Sequence, residues 1–146
     1  MKITTLKSIS GSVAKDLHAL STELHGTKKK DLARIRQDLK ELLKNPHAVT
    51  MVAKDGHRIV GMAMLFVLQK VGKRGGTVED VVVLSEYRGK GIGESLMRAV
   101  IKEARKRKLS SLQLTSRPSR VAANRLYNKL GFAKKDTNAY RLKFRG

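Results

Sequence analysis

The chain has 146 residues, of which 40% are hydrophobic and 30% are charged, so it is long enough for one packed domain and too apolar for a wholly disordered chain. It has no cysteine, which excludes a disulfide framework, a zinc site with cysteine ligands and a thiol nucleophile. Its 32 lysines and arginines against 12 aspartates and glutamates give a formal net charge of +20, which favours partners such as nucleic acid, anionic lipid or a phosphorylated small molecule.

The hydrophobic residues are distributed as in a soluble protein. The longest apolar run, Val60–Leu68, is too short to cross a bilayer, which needs about 20 residues. The N-terminus lacks the apolar centre of a signal peptide. We therefore expect one domain over residues 1–146 that is located in the cytoplasm and binds no membrane.

The first part of the chain predicts a strand followed by two helices. Residues 3–9 alternate loosely between apolar and polar side chains, as in a strand. Apolar residues at helical spacing over 13–24 predict a helix that ends near Gly26, and those over 32–43 predict a second helix. Pro46 prevents this second helix from continuing.

The middle of the chain predicts three strands. Two apolar runs over 48–53 and 58–69 flank an Asp-Gly dipeptide at 55–56, which is typical of a hairpin turn. Residues 72–76 include three glycines and predict a loop. Residues 77–84 follow, and three consecutive valines at their centre predict a strand that is buried on both faces.

The C-terminal part predicts two helices and three strands. They are a helix whose inward side chains run from Leu96 to Ala104, a strand over 111–115, a helix over 120–130 closed by Gly131, and two last strands over 132–135 and 139–144. This order of elements predicts an α/β fold with a central mixed, mostly antiparallel sheet flanked by about four helices.

The basic residues are spread over the whole chain. The densest runs, 28–30 and 105–108, each stand at the end of a predicted helix, and a solvated basic surface explains either run better than a nucleic-acid site. The chain has no Trp, three Phe and three Tyr, which leaves little aromatic surface for stacking on bases. Its four histidines show no metal-ligand spacing, so no metal site is predicted.

The most informative stretch is the turn between the valine-rich strand and the next helix. Three glycines stand at alternate positions, and the helix begins directly after them. Glycines permit positive φ angles, and the unpaired N–H groups of a helix N-terminus favour an anion. With the charges of Arg88 and Lys90, the turn is typical of a pyrophosphate site, and a turn without a ligand is the alternative. It is not a dinucleotide fingerprint, because Glu94 stands where the third glycine would be, and it is not a P-loop.

Two motifs, in this order, resemble those of the GNAT N-acetyltransferases. The sequence from Arg88 to Gly93 matches Q/R-x-x-G-x-G/A, the motif with which that family binds the pyrophosphate of acetyl-CoA. The sequence from Arg120 to Phe132 resembles the family's second signature, a helix that ends in Leu-Tyr-x-x-Leu-Gly-Phe. The stretch 78–83 also resembles the glucosamine-phosphate N-acetyltransferase branch.

The resemblance implies acetyl-CoA as the co-substrate, without a metal. It implies that the valine-rich strand separates from its neighbour and that its free backbone groups hold the pantetheine arm, while the turn and a serine hydroxyl hold the pyrophosphate. Seven residues before the tyrosine, where the family often has asparagine, this chain has Arg120, and nearby Asn124 is the candidate for a cofactor contact. The implied cofactor-binding residues are Val81, Val82, Val83, Arg88, Gly89, Lys90, Gly91, Ile92, Gly93, Ser95 and Asn124.

Acetyl transfer to an amine requires a neutral amine, a polarised carbonyl and a proton for the departing thiolate. Because the chain has no cysteine, direct attack in a ternary complex is the natural mechanism. Tyr127 matches the family's tyrosine whose hydroxyl protonates the thiolate, and a core aromatic is the alternative. Glu79 is the candidate base, with a buried hydrogen-bond acceptor as the alternative. Strand alternation places Glu79, Val81 and Val83 on one face and Asp80 on the other.

The sequence and the resemblance together predict an acetyl-CoA-dependent N-acetyltransferase that acts on a small-molecule or peptide primary amine. The alternative is a basic nucleic-acid- or ribosome-associated binding module on the same scaffold, and a third candidate is a cofactor-binding regulator without catalysis. The amine acceptor cannot be identified from the residues. The oligomeric state is left open, with a homodimer as one alternative.

Overall fold

The computed structural model describes residues 1–26 and 31–145, so the basic run at 28–30 lies outside the described residues. The elements in chain order are β1 Lys2–Thr5, α1 Gly11–His25, α2 Leu32–Lys44, β2 Ala48–Asp55, β3 Arg58–Lys70, β4 Lys73–Val83, a 3₁₀ helix Ser85–Tyr87, α3 Ile92–Lys106, β5 Leu112–Gln113 and α4 Val121–Lys129. They confirm the predicted mixed α/β fold class. They belong to two compact units, Met1–Thr115 and Ser116–Gly146.

Local sequence explains where the first two helices end and begin. Helix α1 ends at His25, directly before Gly26, as predicted. The side chain of Asp31 accepts a hydrogen bond from the backbone N–H of Arg34 (2.8 Å) and so caps the start of α2. Helix α2 ends shortly before Pro46. None of the described helices is long and apolar enough to cross a membrane.

The five strands form one sheet in the order β1-β2-β3-β4-β5. Neighbouring strands are antiparallel, except that β4 and β5 are parallel. The predicted Asp-Gly turn joins β2 to β3, with Gly56 at a φ of +59°. Helices α1 and α3 pack on β3. These two helices, β2 and β3 supply the largest fully buried side chains: Leu20, Val52, Ile59, Val60, Leu65, Leu96, Met97 and Val100.

A glycine of β3 fixes how closely α3 approaches the sheet. A Cβ atom on Gly61 would lie 3.1 Å from Cδ1 of Leu96 and 3.4 Å from Cγ2 of Ile92. A larger side chain would therefore push the first two turns of α3 away from the sheet. The start of α3 is held against β3 beside the end of β4, and this position defines the candidate site described below.

Strand β4 is longer than the sequence predicts. It begins at Lys73, so the predicted loop over 72–76 is reduced to a turn at Gly72 (φ +78°). A Cβ atom on Gly76 would lie 2.9 Å from Cδ1 of Leu65 and 3.0 Å from two other leucine side chains, so this glycine permits close packing within a strand. The prediction that this strand is buried on both faces is also wrong. Val82 is buried, but its neighbours Val81 and Val83 are only half-buried.

The second unit contains α4 and, among its described residues, no strand. Helix α4 confirms the predicted helix, and Gly131 (φ +97°) closes it. The strands predicted over 132–135 and 139–144 are absent from the described residues, and the strand predicted over 111–115, in the first unit, is reduced to β5. Alternating side chains favour a strand, but a strand forms only where a neighbouring backbone supplies its hydrogen bonds.

Candidate active site

A β-bulge interrupts β4 beside the candidate base. The pairing register with β3 places two residues, Asp80 and Val81, opposite Ala63 alone. Asp80 has a left-handed φ of +53°, a conformation that aspartate tolerates better than most side chains. The ladder between β3 and β4 is therefore broken at one point in the middle of the sheet.

The bulge changes which side chains share a face of the sheet. Residues that pair across antiparallel strands lie on the same face, and Glu79 pairs with Met64 while Val82 pairs with Met62. Glu79 therefore shares its face with Val82. The prediction that Glu79 shares its face with Val81 and Val83 is therefore wrong. Glu79 is exposed, which also excludes the alternative of a buried hydrogen-bond acceptor.

From Val78 onward, β4 has a free edge on the side of β5. Its pairing with β5 ends at Thr77 and Gln113, and residues 78–83 have no paired strand on that side among the described residues. The N–H of Leu84 donates to the carbonyl oxygen of Val60 on β3 (2.9 Å). Because successive residues of a strand direct their backbone groups to opposite sides, those of Val83 point to the free edge. Among the described residues, β4 and β5 are thus unpaired beyond Thr77 and Gln113.

The turn after β4 has the backbone geometry that its glycines predict. Gly89 and Gly91 have φ angles of +75° and +80°, and a Cβ atom on either would meet nothing within 4 Å, so the turn borders open space. Gly91 is the N-cap residue of α3, and Ile92 and Gly93 form the start of its first turn. An N-cap glycine has no side chain to accept hydrogen bonds from the first N–H groups of the helix. These donors are available to an anion in the turn.

Three side chains that the charge of the turn and the family resemblance assign to the pyrophosphate make contacts within the protein. Arg88 donates from Nε to the carbonyl oxygen of Val83 (3.1 Å). Lys90 places Nζ 5.2 Å from the centroid of the Tyr87 ring. Ser95 donates from its hydroxyl to the carbonyl oxygen of Gly91 (3.1 Å). In this arrangement the side chains shape the turn, and the backbone N–H groups are its donors toward a ligand.

A carboxylate from α1, which no sequence motif indicates, holds the turn in place. Glu23 accepts the backbone N–H of Ser85 at Oε1 (3.4 Å) and Nη2 of Arg88 at Oε2 (3.2 Å). On the other side of the 3₁₀ helix, the hydroxyl of Tyr87 donates to Oδ2 of Asp55 at the β2–β3 turn (2.8 Å), and this hydrogen bond raises the pKa of Tyr87. These partners are far apart in the chain, so residue spacing alone could not have revealed them.

Removing the Arg88 side chain should weaken acetyl-CoA binding modestly. Arg88 and Glu23 are partly exposed, with 57% and 29% of their side-chain surfaces accessible. An exposed ion pair such as Arg88–Glu23 stabilises the turn by about 1 kcal/mol or less. We therefore expect Arg88→Ala to lower the affinity for acetyl-CoA roughly 3- to 5-fold. The matched control is Arg34→Ala, which removes the same charge from an ion pair with Asp38 on α2 (3.0 Å). Calorimetric titration at one ionic strength compares the two, and an equal loss in both would show that only the overall charge matters.

The second unit carries the other two predicted site residues on α4. Tyr127 is buried, and its ring meets that of Phe132 edge-on, with centroids 6.0 Å apart. Burial raises the pKa of Tyr127, and the positive charge of Arg120 opposes this effect. The phenol is therefore protonated at neutral pH, as a general acid must be. The side-chain amide of Asn124 donates to the carbonyl oxygen of Arg117 (3.0 Å) and ties the preceding loop to the helix.

The described residues contain no cluster of histidine, aspartate and glutamate side chains that could hold a metal ion. Among the acidic residues of the first unit, five form ion pairs with arginines: Glu23, Asp38, Glu86, Glu94 and Glu103. Glu86 is exposed, as predicted. The first unit thus contributes backbone donors and one exposed carboxylate on β4 as candidate groups, and the second unit contributes the phenol on α4.

Comparison with known sequences places most of the chain in one family. The family model of the acetyltransferase (GNAT) family matches residues 14–132. The chain is 30% identical over 92 residues to a proposed [ribosomal protein bS18]-alanine N-acetyltransferase of Bacillus subtilis (strain 168). This alignment covers 62% of the chain and 58% of that protein, so the chain spans little more than half of the relative's length.

Solved structures share the fold over nearly the whole chain. A transcriptional regulator from Bacillus halodurans is 28% identical, with a TM-score of 0.81 over 98% of this chain and 100% of that one. A glucosamine-6-phosphate N-acetyltransferase from Arabidopsis thaliana also has a TM-score of 0.81, over 97% of this chain and 99% of that one, but it is only 18% identical and shows the fold alone.

The family model covers both motifs that resemble this family, at 88–93 and 120–132. The matches support the prediction of an acetyl-transferring enzyme. The chain belongs to the acetyltransferase (GNAT) family.

Proposed function

We propose that this protein transfers the acetyl group of acetyl-CoA to a primary amine by direct attack in a ternary complex. The observation that carries the proposal is the continuous path from the free edge of β4 to the start of α3. Along it, a bulged strand, two left-handed glycines and a helix without a side-chain cap follow one another within residues 80–92. A pyrophosphate fits this turn because a Cβ atom at Gly89 or Gly91 would meet only open space.

The proposed binding of acetyl-CoA uses mainly backbone atoms. N–H groups of the turn and of the first turn of α3 would hold the pyrophosphate, with the helix dipole adding to the attraction. The free edge at Val83 would hold the pantetheine arm, as the resemblance to the family implies. The bulge at Asp80 and Val81 takes backbone groups out of the β3–β4 ladder. Such an N–H group is suited to polarise the acetyl carbonyl.

The proposed chemistry needs one base and one acid. The amine nitrogen attacks the carbonyl carbon, and its proton passes through water to the carboxylate of Glu79, which is exposed. The tetrahedral intermediate then collapses, the C–S bond breaks, and the Tyr127 hydroxyl protonates the departing thiolate. The assignment of Tyr127 follows the family signature.

The charge of the chain bears on the class of acceptor. The net charge is +20, and five carboxylates of the first unit are neutralised by arginines. An amine that carries a phosphate or no net charge should therefore reach the site more readily than a polyamine. The two N-acetyltransferases compared above are named for an alanine of a ribosomal protein and for glucosamine 6-phosphate. Both classes belong in the test.

A panel of amines assayed for acetyl-CoA-dependent thiol release tests this proposal. The panel contains glucosamine 6-phosphate, an alanine-starting peptide, an amino acid and spermidine. We expect the neutral or anionic amines to give a higher kcat/KM than spermidine at low salt, with the difference shrinking as salt screens the charges. Spermidine as the best acceptor at every ionic strength would contradict this expectation and point to a local acidic pocket.

A second candidate function, binding to nucleic acid or the ribosome, is favoured by the charge of the second unit. Residues 116–145 contain nine lysines and arginines against one aspartate. Acetyl-CoA requires few of these cations. Fluorescence anisotropy with an RNA oligonucleotide tests this function, because phosphate contacts give an affinity that falls steeply with salt.

A further inference from the structure

The tip of the β3–β4 hairpin is exposed on all sides. Residues 68–74 are all exposed, and Val71 in the turn is fully so. Lys70 pairs directly with Lys73 across the two strands, which places both side chains on one face of the hairpin. Like charges in directly opposite positions destabilise a hairpin, so folding does not explain this pair of lysines.

The end of α3 lies beside this hairpin. After the helix, the backbone N–H and the hydroxyl of Ser110 both donate to the carbonyl oxygen of Arg74 (2.8 and 2.9 Å), although the two residues are 36 positions apart. The helix dipole explains a basic run at the C-terminus of a helix, but it does not explain a basic hairpin next to that run. We call the combined surface the basic end, and its exposed members are Lys70, Lys73, Arg74, Arg105, Lys106 and Lys108.

Lys108 has a backbone conformation that favours glycine, with a φ of +58°. Its N–H donates to the carbonyl oxygen of Arg105 (2.9 Å), and the N–H of Leu109 donates to that of Ala104 (3.1 Å). This pair of hydrogen bonds closes a helix, and glycine is the usual residue in the position of Lys108. The chain thus has a cation where the backbone alone favours glycine.

The charges of the basic end are not neutralised by the protein. Within the described ranges, none of its six side chains forms an ion pair. Glu103, the acidic residue nearest in sequence on α3, is paired with Arg107 (2.9 Å), which also donates to the carbonyl oxygen of Pro46 (2.8 Å). The basic end therefore attracts anions through a field that no neighbouring carboxylate cancels.

The composition of this surface selects among polyanions. No aromatic residue lies within 67–75 or 103–111, so a single strand has nothing to stack its bases on. Val71 and Gly72 at the tip have no polar side-chain group to read a base edge. Duplex RNA requires neither, because it is recognised mainly by its shape, its phosphates and its 2′-hydroxyls. One exposed valine is too little apolar surface to anchor the hairpin in a membrane.

We propose that the basic end binds the phosphate backbones of double-stranded RNA through the β3–β4 hairpin and the end of α3. The proposal rests on the second candidate function above and gives it a surface in the first unit. The 15 residues of α3 span about 22 Å and separate this surface from the turn before the helix. Variants of the basic end should therefore transfer acetyl groups to the amine panel at the wild-type rate.

Fluorescence anisotropy of the full chain with a labelled RNA hairpin that has a double-stranded stem tests the proposal. Lys70→Gln/Lys73→Gln should raise Kd on the order of 10-fold and lower the slope of log K against log salt by about 2. The matched control is Lys2→Gln/Lys54→Gln, which removes the same charge from two lysines that pair across β1 and β2, beside the β2–β3 turn. It should raise Kd less than about 2-fold, because salt screens distant charges. Equal losses in both variants would overturn the proposal.

Lys108→Gly separates binding from folding. Glycine relieves the left-handed backbone, so the melting temperature should stay the same or rise, while the affinity for the RNA hairpin should fall several-fold. A merely structural role of Lys108 does not predict this combination. Wild-type affinity in Lys108→Gly would overturn the assignment of the α3 end to the surface.

Three further ligands distinguish the partner from other polyanions: the same RNA as a single strand, a DNA duplex of the same sequence, and vesicles of phosphatidylserine and phosphatidylcholine. Tighter binding to the single strand or to DNA would overturn the proposal. So would binding to vesicles alone that Val71→Ser abolishes, in favour of a membrane contact. If the wild type binds no RNA, the second candidate function fails as well. RNA binding that Lys70→Gln/Lys73→Gln leaves unchanged overturns only the location proposed here.

Discussion

Replacing Tyr127 with phenylalanine should lower kcat about 100-fold while changing KM for acetyl-CoA little. General acid catalysis contributes roughly 10²–10⁴-fold, and we expect the lower end because a CoA thiolate is a fairly good leaving group. The substitution keeps the ring that packs edge-on against Phe132, so the fold should be preserved. It removes only the hydroxyl proposed to protonate the sulfur.

The pH profile adds a second test of Tyr127. Burial raises the pKa of this phenol above its ordinary value of 10.0. The wild-type enzyme should therefore lose no activity through deprotonation of Tyr127 below about pH 9. The matched control is Tyr140→Phe, which removes a hydroxyl from a residue that is 90% exposed and should leave kcat unchanged. If kcat of Tyr127→Phe equals that of the wild type from about pH 6 to about pH 9, Tyr127 is a core aromatic and the assigned acid is wrong.

Replacing Gly91 with aspartate should nearly abolish acetyl-CoA binding. Gly91 has a φ of +80° and caps α3, so a carboxylate there would occupy the proposed pyrophosphate position and bind the first N–H groups of the helix itself. One charge-assisted hydrogen bond to phosphate is worth about 1.5–3 kcal/mol, and charge repulsion adds to that loss. We expect an affinity loss of at least about 100-fold in calorimetric titration.

The matched control for this substitution is Gly91→Asn. Asparagine has nearly the size of aspartate and also tolerates a left-handed φ, but it carries no charge. It should weaken binding less than aspartate does, and the difference measures the electrostatic part of the effect. Melting temperatures close to the wild type in both variants verify that the fold is intact. Unchanged CoA affinity in Gly91→Asp would remove the cofactor from this turn.

The helix ends and the hairpin could be predicted from the sequence because single residues decide them. Gly26 follows α1, Pro46 follows α2, and Gly131 closes α4 with a φ of +97°. Glycine permits the left-handed φ that ends a helix, and proline blocks a helix from continuing. Both effects are local and need no help from distant parts of the chain. The two glycines with left-handed φ in the turn before α3 belong to the same class, and they led directly to the candidate pyrophosphate site.

The features that the sequence did not predict depend on distant partners. Gly76 predicts a loop because glycine is common in loops, but in the structure it makes room in a strand for Leu65, which lies 11 positions earlier in the chain. No glycine marks the bulge at Asp80 in the sequence. Because of the bulge, Glu79 shares a face with Val82, whereas simple alternation predicts that it shares one with Val81. Glu23 reaches Arg88 across 65 positions of the chain. The last two predicted strands failed for the same reason, because a pattern of side chains does not supply the backbone that a strand must pair with.

The most direct test of the account follows a labelled acetyl group from acetyl-CoA to the acceptor by mass spectrometry. The purified protein is mixed with acetyl-CoA carrying ¹³C in the acetyl group and with the amine panel, and the masses of the amines and of the intact protein are followed together with thiol release. Direct transfer predicts one labelled amide for each CoA thiol released, with no acetylated protein at any time. Tight binding of acetyl-CoA without transfer to any amine, or a labelled protein that later passes its acetyl group on, would contradict the account.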